Sequence, residues 1–260
     1  MEKIIRNANE SDTAALKKLW AECFPKDTEY SEFFFDKVFR TECAKICEID
    51  GELAAMLHSF PYDFMTPSGV LHAKYIYGVG TAVKFRGKGL ASELLDGEAH
   101  GCDFTIIIPQ SESLFEFYER NSFTELFYVE RKLATGKVCE FKNAGYDDIE
   151  TLNAMYEDMC KGRIHPIRSH ARWETIISEF EFLGGGIAIF DGGYCAYYEN
   201  NGKYEISEVC PPSGKAPFGY SCSAVTVGDG ARIGAARLIS ERAKEYFATA
   251  CGRYMNLMHN

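Results

Sequence analysis

Long apolar runs are missing from this 260-residue chain. None approaches the roughly 18 residues of a membrane span, so no membrane partner is expected. Proline is scarce and no segment is low in complexity, which excludes long disorder. Met1 to Asn7 carries charge and no apolar stretch. Nothing there reads as a secretory signal, and a cytoplasmic location is expected. Basic residues are outnumbered, 28 Lys and Arg against 38 Asp and Glu, for a net charge of -10. No nucleic acid is expected as partner, because phosphate binding needs a basic face. The ten cysteines form no CxxC and no Cys/His cluster of zinc spacing. They read as reduced thiols, mostly small buried hydrophobes, and no metal is expected.

What is present suits a globular protein. The chain is 46% hydrophobic and 25% charged, enough for a sizeable core without disulfides or metals. It also echoes itself. Arg6-Asn7-Ala8-Asn9-Glu10-Ser11-Asp12, with Leu16 and Trp20 following, is matched 136 positions later. There stand Lys142-Asn143-Ala144-Gly145-Tyr146-Asp147-Asp148, then Leu152 and Tyr156. Each stretch reads as a short strand, a polar turn and a helix started by an aspartate. So long a period implies two similar domains rather than a solenoid. The expected halves are 1–134 and 135–260, joined at Ala134 to Lys137.

The hydrophobic pattern predicts a mixed α/β sheet with helices on both faces. In the first half, strands are expected at Lys3–Arg6, Ala44–Ile49, Leu53–Pro61, Val70–Val83, Phe104–Ile108 and Phe123–Arg131. Helices are expected at Asp12–Cys23, Ser31–Phe39, Gly89–Glu98 and Ser113–Arg120. In the second half, helices are expected at Asp148–Cys160, Ser169–Phe182 and Ala231–Ala250, and a last strand at Tyr254–Met258. No counterpart of the first half's last helix and strand is visible there, so the second unit reads as truncated. Its unpaired edge or apolar face points to domain or subunit contacts, a homo-oligomer among them. Ala224 to Gly234 resembles a strand leading into a GxGxxxG turn, read as structural rather than as a second nucleotide site. Gly184-Gly185-Gly186 ends one helix and starts a strand. Phe33, Phe34, Phe35 and Phe39 are core residues at helical spacing, or else the wall of an acceptor pocket.

The stretch most suited to chemistry runs from Tyr75 to Leu95. A strand enters Arg86-Gly87-Lys88-Gly89, and a helix leaves with Leu90, Leu94 and Leu95 on one stripe. Gly87 and Gly89 permit a tight turn and close approach of a ligand. The first N–H groups of the helix are unpaired, and its dipole adds partial positive charge. Arg86 and Lys88 add full charges, which makes a site for a phosphate or pyrophosphate. The spacing is neither a P-loop nor a dinucleotide fingerprint.

Arg86-Gly-Lys-Gly-Leu-Ala91 resembles the R/Q-x-x-G-x-G/A motif of the GNAT superfamily of N-acetyltransferases. Gly78-Val-Gly-Thr81 is similar to that family's splayed central strand. Ser113 to Phe123 resembles its helix with the Y-x-x-x-G-F ending, and Arg6 to Asp12 its opening. The resemblance covers about residues 3 to 132. Val83 departs from a usual proline, and Asn121-Ser122-Phe123 from a usual Gly before Phe. The resemblance implies a GNAT fold, acetyl-CoA as co-substrate and an amine acceptor. Val79, Gly80, Thr81, Arg86, Gly87, Lys88, Gly89, Leu90 and Ala91 would bind the cofactor, and Tyr118 would be the general acid. A phenol, with a pKa of about 10, matches a thiolate leaving group in basicity. The base is not visible; Tyr75, Tyr77, Glu52, His58, His72 or a water chain are the alternatives.

Two fused GNAT units, the second degenerate, loosely resemble the enhanced intracellular survival type. Members of that group carry a further sterol-carrier-like domain, for which no residues remain here, and use a terminal carboxylate in catalysis. That role would fall to Asn260. Residues 1–135 hold fifteen Lys and Arg against twenty-two Asp and Glu, and the rest thirteen against sixteen. The more acidic half favours a cationic small amine, such as a polyamine, an aminoglycoside or a lysine-like group. The competing expectation is a non-catalytic module that binds acetyl-CoA as a sensor or scaffold.

Overall fold

The computed structural model describes residues 2–134, 139–201, 203–211, 216–218 and 222–258. The expected joint at 135–137 and the terminal Asn260 lie outside these residues. In chain order the elements begin with β1 (Lys3–Asn7), α1 (Thr13–Cys23), α2 (Thr28–Phe33), β2 (Ala44–Ile49), β3 (Glu52–Thr66) and β4 (Gly69–Thr81). Next come α3 (Leu90–Glu98), β5 (Phe104–Ile107), α4 (Glu112–Arg120), β6 (Glu125–Ala134), β7 (Phe141–Asn143) and α5 (Ile149–Cys160). The chain closes with β8 (His165–Pro166), α6 (His170–Phe182), β9 (Gly185–Phe190), β10 (Gly193–Asn200), β11 (Lys203–Cys210), β12 (Cys222–Leu238) and α7 (Glu241–Thr249).

These elements gather into two compact units that interleave in sequence. The first comprises Met1–Asp63, Leu71–Glu125 and Ala235–Glu245; the second Phe64–Val70, Leu126–Gly234 and Tyr246–Asn260. A single cut between 134 and 135 therefore does not separate them. The reason lies in β12. Its Ala235 to Leu238 pair antiparallel with β5 from Ile107 to Phe104, so late residues supply a strand of the first unit.

The first unit's sheet runs in the order β1, β2, β3, β4, β5 and then the end of β12. β1 with β2, β2 with β3 and β5 with β12 pair antiparallel, and β4 with β5 parallel. β5 is buried along its whole length, as a strand covered on both faces must be. Arg6 of β1 holds Asp12 at 2.6 Å and Glu48 at 2.8 Å. Asp12 in turn accepts from the Asn9 backbone, closing a capping box before α1. That box orients Leu16, Leu19 and Trp20 into the core.

The second unit repeats the plan. Its sheet runs β7, β9, β10, β11, β12, and β11 lies parallel to β12. Lys142 pairs with Asp148, which accepts from the Gly145 backbone. Leu152 and Tyr156 are fully buried, as Leu16 and Trp20 are in the first unit. The echo in sequence is thus one set of contacts made twice. The core of this unit holds a saturated carboxylate. Glu208 accepts from Arg168 at 2.6 and 2.7 Å, and from Tyr194 and Tyr254 at 2.8 and 2.5 Å.

Three expectations for the second half are overturned. Ala231 to Leu238 is strand, not helix, and α7 is confined to Glu241–Thr249. Pairing with β5 decides that, a contact no local pattern announces. The glycine-rich 228–234 stretch is likewise strand. A side-chain carbon at Gly228 would come 2.4 Å from Glu130 Cβ, so the glycines admit neighbouring β6. Third, a helix and an inward segment do follow β12. Tyr254, Met255, Leu257 and Met258 are buried, although only isolated bridges, not a strand, hold this segment. Among the described residues, no counterpart of α3 stands between β11 and β12. Eleven residues, 211–221, connect β11 to β12, where twenty-two, 82–103, connect β4 to β5. Among the described residues, no helix is long and apolar enough to cross a membrane.

Candidate functional site

The parallel pairing of β4 with β5 stops at Ile76 and Ile107. β4 continues through Thr81, so Tyr77 to Thr81 project beyond the last β5 partner. Gly78 takes a left-handed backbone, φ +58°, at the start of this splay. A substituent there would meet the Trp20 ring at 2.6 Å, so only glycine fits. Gly80 is hemmed in by Cys23 Sγ at 2.9 Å and Met56 at 3.1 Å. The expected cofactor strand, Val79 to Thr81, is therefore closely backed by α1 and β3.

Past Thr81 the chain makes a short 3-10 turn over Val83–Phe85 and then the glycine turn. Gly87 and Gly89 have φ +75° and +77°, and a side-chain carbon on either would meet nothing within 4 Å. The turn from Arg86 to Gly89 is exposed, and Leu90 is buried as the first anchor of α3. Gly89 is the cap residue of α3, and no side chain caps that end. The amides of Leu90 and Ala91 have no intrahelical acceptor. The remaining charges fit the same purpose. Lys84 and Lys88 lie 5.0 and 5.2 Å from the Phe85 ring centroid, and Arg86 Nε donates to the Thr81 carbonyl at 3.0 Å. That last bond ties turn to strand, while Gly80 and Leu90 are themselves buried beneath the exposed turn and strand edge. An anionic diphosphate with a hydrogen-bonding arm fits this cradle: open glycines and bare amides at one end, a strand without a β5 partner at the other.

The departures from the motif acquire reasons. Val83 stands where a proline is usual, and its N–H donates to Glu22 Oε1 at 2.6 Å, a bond proline could not make. Glu22, at the end of α1, was not among the residues expected near the site. Its signal in sequence is indirect: a freed N–H at 83 needs an acceptor. Ser122 replaces the usual glycine and carries the left-handed backbone itself, φ +69°. The Phe123 amide still closes on the Tyr118 carbonyl at 3.0 Å.

Tyr118 lies on α4, 5% exposed, with its ring against Phe117 and Phe123. Burial pushes its phenol well above the ordinary tyrosine value, which keeps the proton in place at neutral pH. The suggested bases do not converge. Glu52 is paired with Lys84 at 2.5 Å, and His72 with Asp63 at 2.7 Å, all exposed. Tyr75 packs edge-on against Tyr62 and at a tilt against Tyr77. His58 is fully buried among aromatic rings, and burial lowers its pKa to about 4. Phe33 and Phe34 are core residues, as their spacing implies, while Phe35 and Phe39 are half-buried over the same cluster.

Residues 4–124 match the acetyltransferase (GNAT) domain model. They are a GNAT acetyltransferase domain. No protein of curated function matches the chain in sequence. Among solved structures, a conserved protein of unknown function from Enterococcus faecalis V583, described as a probable N-acyltransferase, is 15% identical. The match has a TM-score of 0.72 and covers 94% of this chain and 74% of that one. A GCN5-related N-acetyltransferase from Kribbella flavida is 11% identical, with a TM-score of 0.69 and coverage of 93% and 73%. Eis1 from Mycobacterium abscessus is 11% identical, with a TM-score of 0.63 and coverage of 91% and 74%. At such identities the likeness is one of fold. The GNAT domain model ends at residue 124, before β6, so the second unit is related to these proteins through fold alone.

Proposed function

We propose that the chain is an acetyl-CoA-dependent N-acetyltransferase acting on the primary amine of a small cationic acceptor. The first unit would be its catalytic domain and the second a degenerate copy. The observation that carries the reading is the turn from Arg86 to Ala91: two left-handed glycines with open space, leading into a helix start that no side chain caps. Those amides, with Arg86 and Lys88, would grip the diphosphate, and Val79 to Thr81 would hold the pantetheine arm along the splayed strand. Acetyl-CoA supplies an acetyl group activated as a thioester.

In the ternary complex, a neutral amine attacks the acetyl carbonyl. A C–N bond forms as the C–S bond breaks, the amine loses a proton and the sulfur gains one. Tyr118 would deliver the proton to sulfur, and its raised pKa keeps it protonated until then. Backbone amides near Val79 to Thr81 would polarise the carbonyl. The acidic surplus of residues 1–135 supports a cationic acceptor, which it attracts at long range. The second unit's connection from β11 to β12 is eleven residues, half the length of the one that carries the phosphate turn in the first unit, which supports one active site per chain.

A thiol-release assay against a panel of amines, polyamines and aminoglycosides included, tests the proposal. Turnover with at least one cationic amine is the expected result. Tight acetyl-CoA binding without turnover on any amine would favour the sensor or scaffold reading.

A further inference from the structure

The first unit buries polar atoms that the proposed chemistry leaves unused. His58 on β3 is 0% exposed and Trp20 on α1 is 2% exposed. Neither imidazole nitrogen, nor Trp20 Nε1, has a hydrogen-bond partner. Around the imidazole stand Phe34, Phe39, Trp20 and Phe60, with centroids at 5.0, 5.8, 5.8 and 6.3 Å. A phenylalanine at 58 would suit such a box and would leave no unpaired nitrogen at that position. Buried polar groups without partners are uncommon, and a catalytic or conformational use is one of the few explanations for them. The box is held by an unusual element. Phe34 to Val38 form a π-helical turn, a rare geometry found mostly at functional sites.

Both unpaired rings press on one backbone position. A side-chain carbon at Gly78 would lie 2.6 Å from Trp20 and 3.0 Å from His58 Nδ1. Gly78 is the second residue of β4 beyond its last pairing with β5, and Val79 follows it. The polar neighbour of the imidazole is the Tyr77 backbone, with which neither ring nitrogen completes a hydrogen bond of ordinary geometry. An unspent nitrogen therefore faces the peptide at which the strand leaves its partner.

We propose that His58 is a positioning residue for acetyl transfer. Its Nδ1 bonds the Tyr77–Gly78 peptide when an acyl thioester arm is drawn along Val79 to Thr81, and so fixes the strand edge. Trp20 closes the other side of Gly78 and limits its travel. The inference rests on the reading of Val79 to Thr81 as the strand that holds the arm.

The test uses the full chain and three variants. His58→Phe fills the box without a polar atom, His58→Asn returns a nitrogen near Nδ1, and His58→Gln returns one near Nε2. A packing role alone predicts that His58→Phe melts no lower than the parent and binds acetyl-CoA equally well. The positioning role predicts equal or higher thermal stability together with an acetyl-CoA Kd weakened by about 2- to 13-fold, the range of one hydrogen bond. KM for acetyl-CoA rises with it, and His58→Asn recovers more of the affinity than His58→Gln. In the parent chain, the His58 Nδ1 proton resonance moves downfield on adding acetyl-CoA, a readout that needs no variant to fold. An unchanged Kd in His58→Phe, or an imidazole resonance indifferent to acetyl-CoA, overturns the proposal. Failure of the parent chain to bind acetyl-CoA overturns the proposed function and this inference together.

Discussion

Burial holds both Tyr118 and His58 in their neutral forms. Burial raises the phenol's pKa, so Tyr118 holds a proton it can deliver. Tyr118→Phe is expected to leave acetyl-CoA binding unchanged and to lower kcat about 10²-fold, the low end of general-acid effects; parallel calorimetry and steady-state kinetics check this. Burial holds His58 neutral, with a pKa of about 4 against the ordinary 6.5. The unfolded chain takes up this proton from about pH 6.5, the folded chain only near pH 4. The neutral imidazole's contribution is thus complete above pH 6.5 and lost as the pH falls toward 4, by about 3 kcal/mol in all. The rings around His58 carry no charge that would offset this. Denaturant unfolding at pH 7 and pH 4 is expected to show a smaller acid loss in His58→Phe than in the parent. At this scale the sequence was a partial guide. The glycine turn was legible because φ > 0, open space and positive charge each select a residue type. Glu22 was not, because its role depends on α1 ending beside Val83.

Ser122 illustrates the next scale, where a turn fixes an element. It ends α4 in a left-handed conformation that costs a residue with a side chain roughly 1 kcal/mol. Ser122→Gly is expected to raise stability by about 0.5–1 kcal/mol in thermal unfolding, with turnover unchanged. Elements with strong local signals were readable from sequence, among them α1, α5 and the buried β5. β12 was not. The segment Ala231 to Leu238 has the small and straight-chain residues of a helix, yet β5 claims it as a neighbour. The segment after α7, expected as a strand, is buried but irregular, since burial does not specify a ladder.

For the whole molecule, interleaving is the feature with most consequence. Because Ala235 to Leu238 complete the first unit's sheet, a fragment of residues 1–134 would expose the buried edge of β5. Such a fragment is expected to be aggregated or unfolded by circular dichroism and sedimentation, whereas two independent halves would let it fold. The duplication was legible through Arg6 and Lys142, whose partners Asp12 and Asp148 do the same work in each unit. The exchange of segments was not, since it depends on pairing across more than one hundred residues.

The most direct measurement is calorimetric titration of the chain with acetyl-CoA at two salt concentrations, beside the double variant Arg86→Ala, Lys88→Ala. One molecule per chain, an affinity that falls as salt rises, and a loss of about tenfold or more in the variant are predicted. Absence of binding, or binding indifferent to both salt and the two substitutions, would contradict the assignment of Arg86 to Ala91 as the diphosphate cradle.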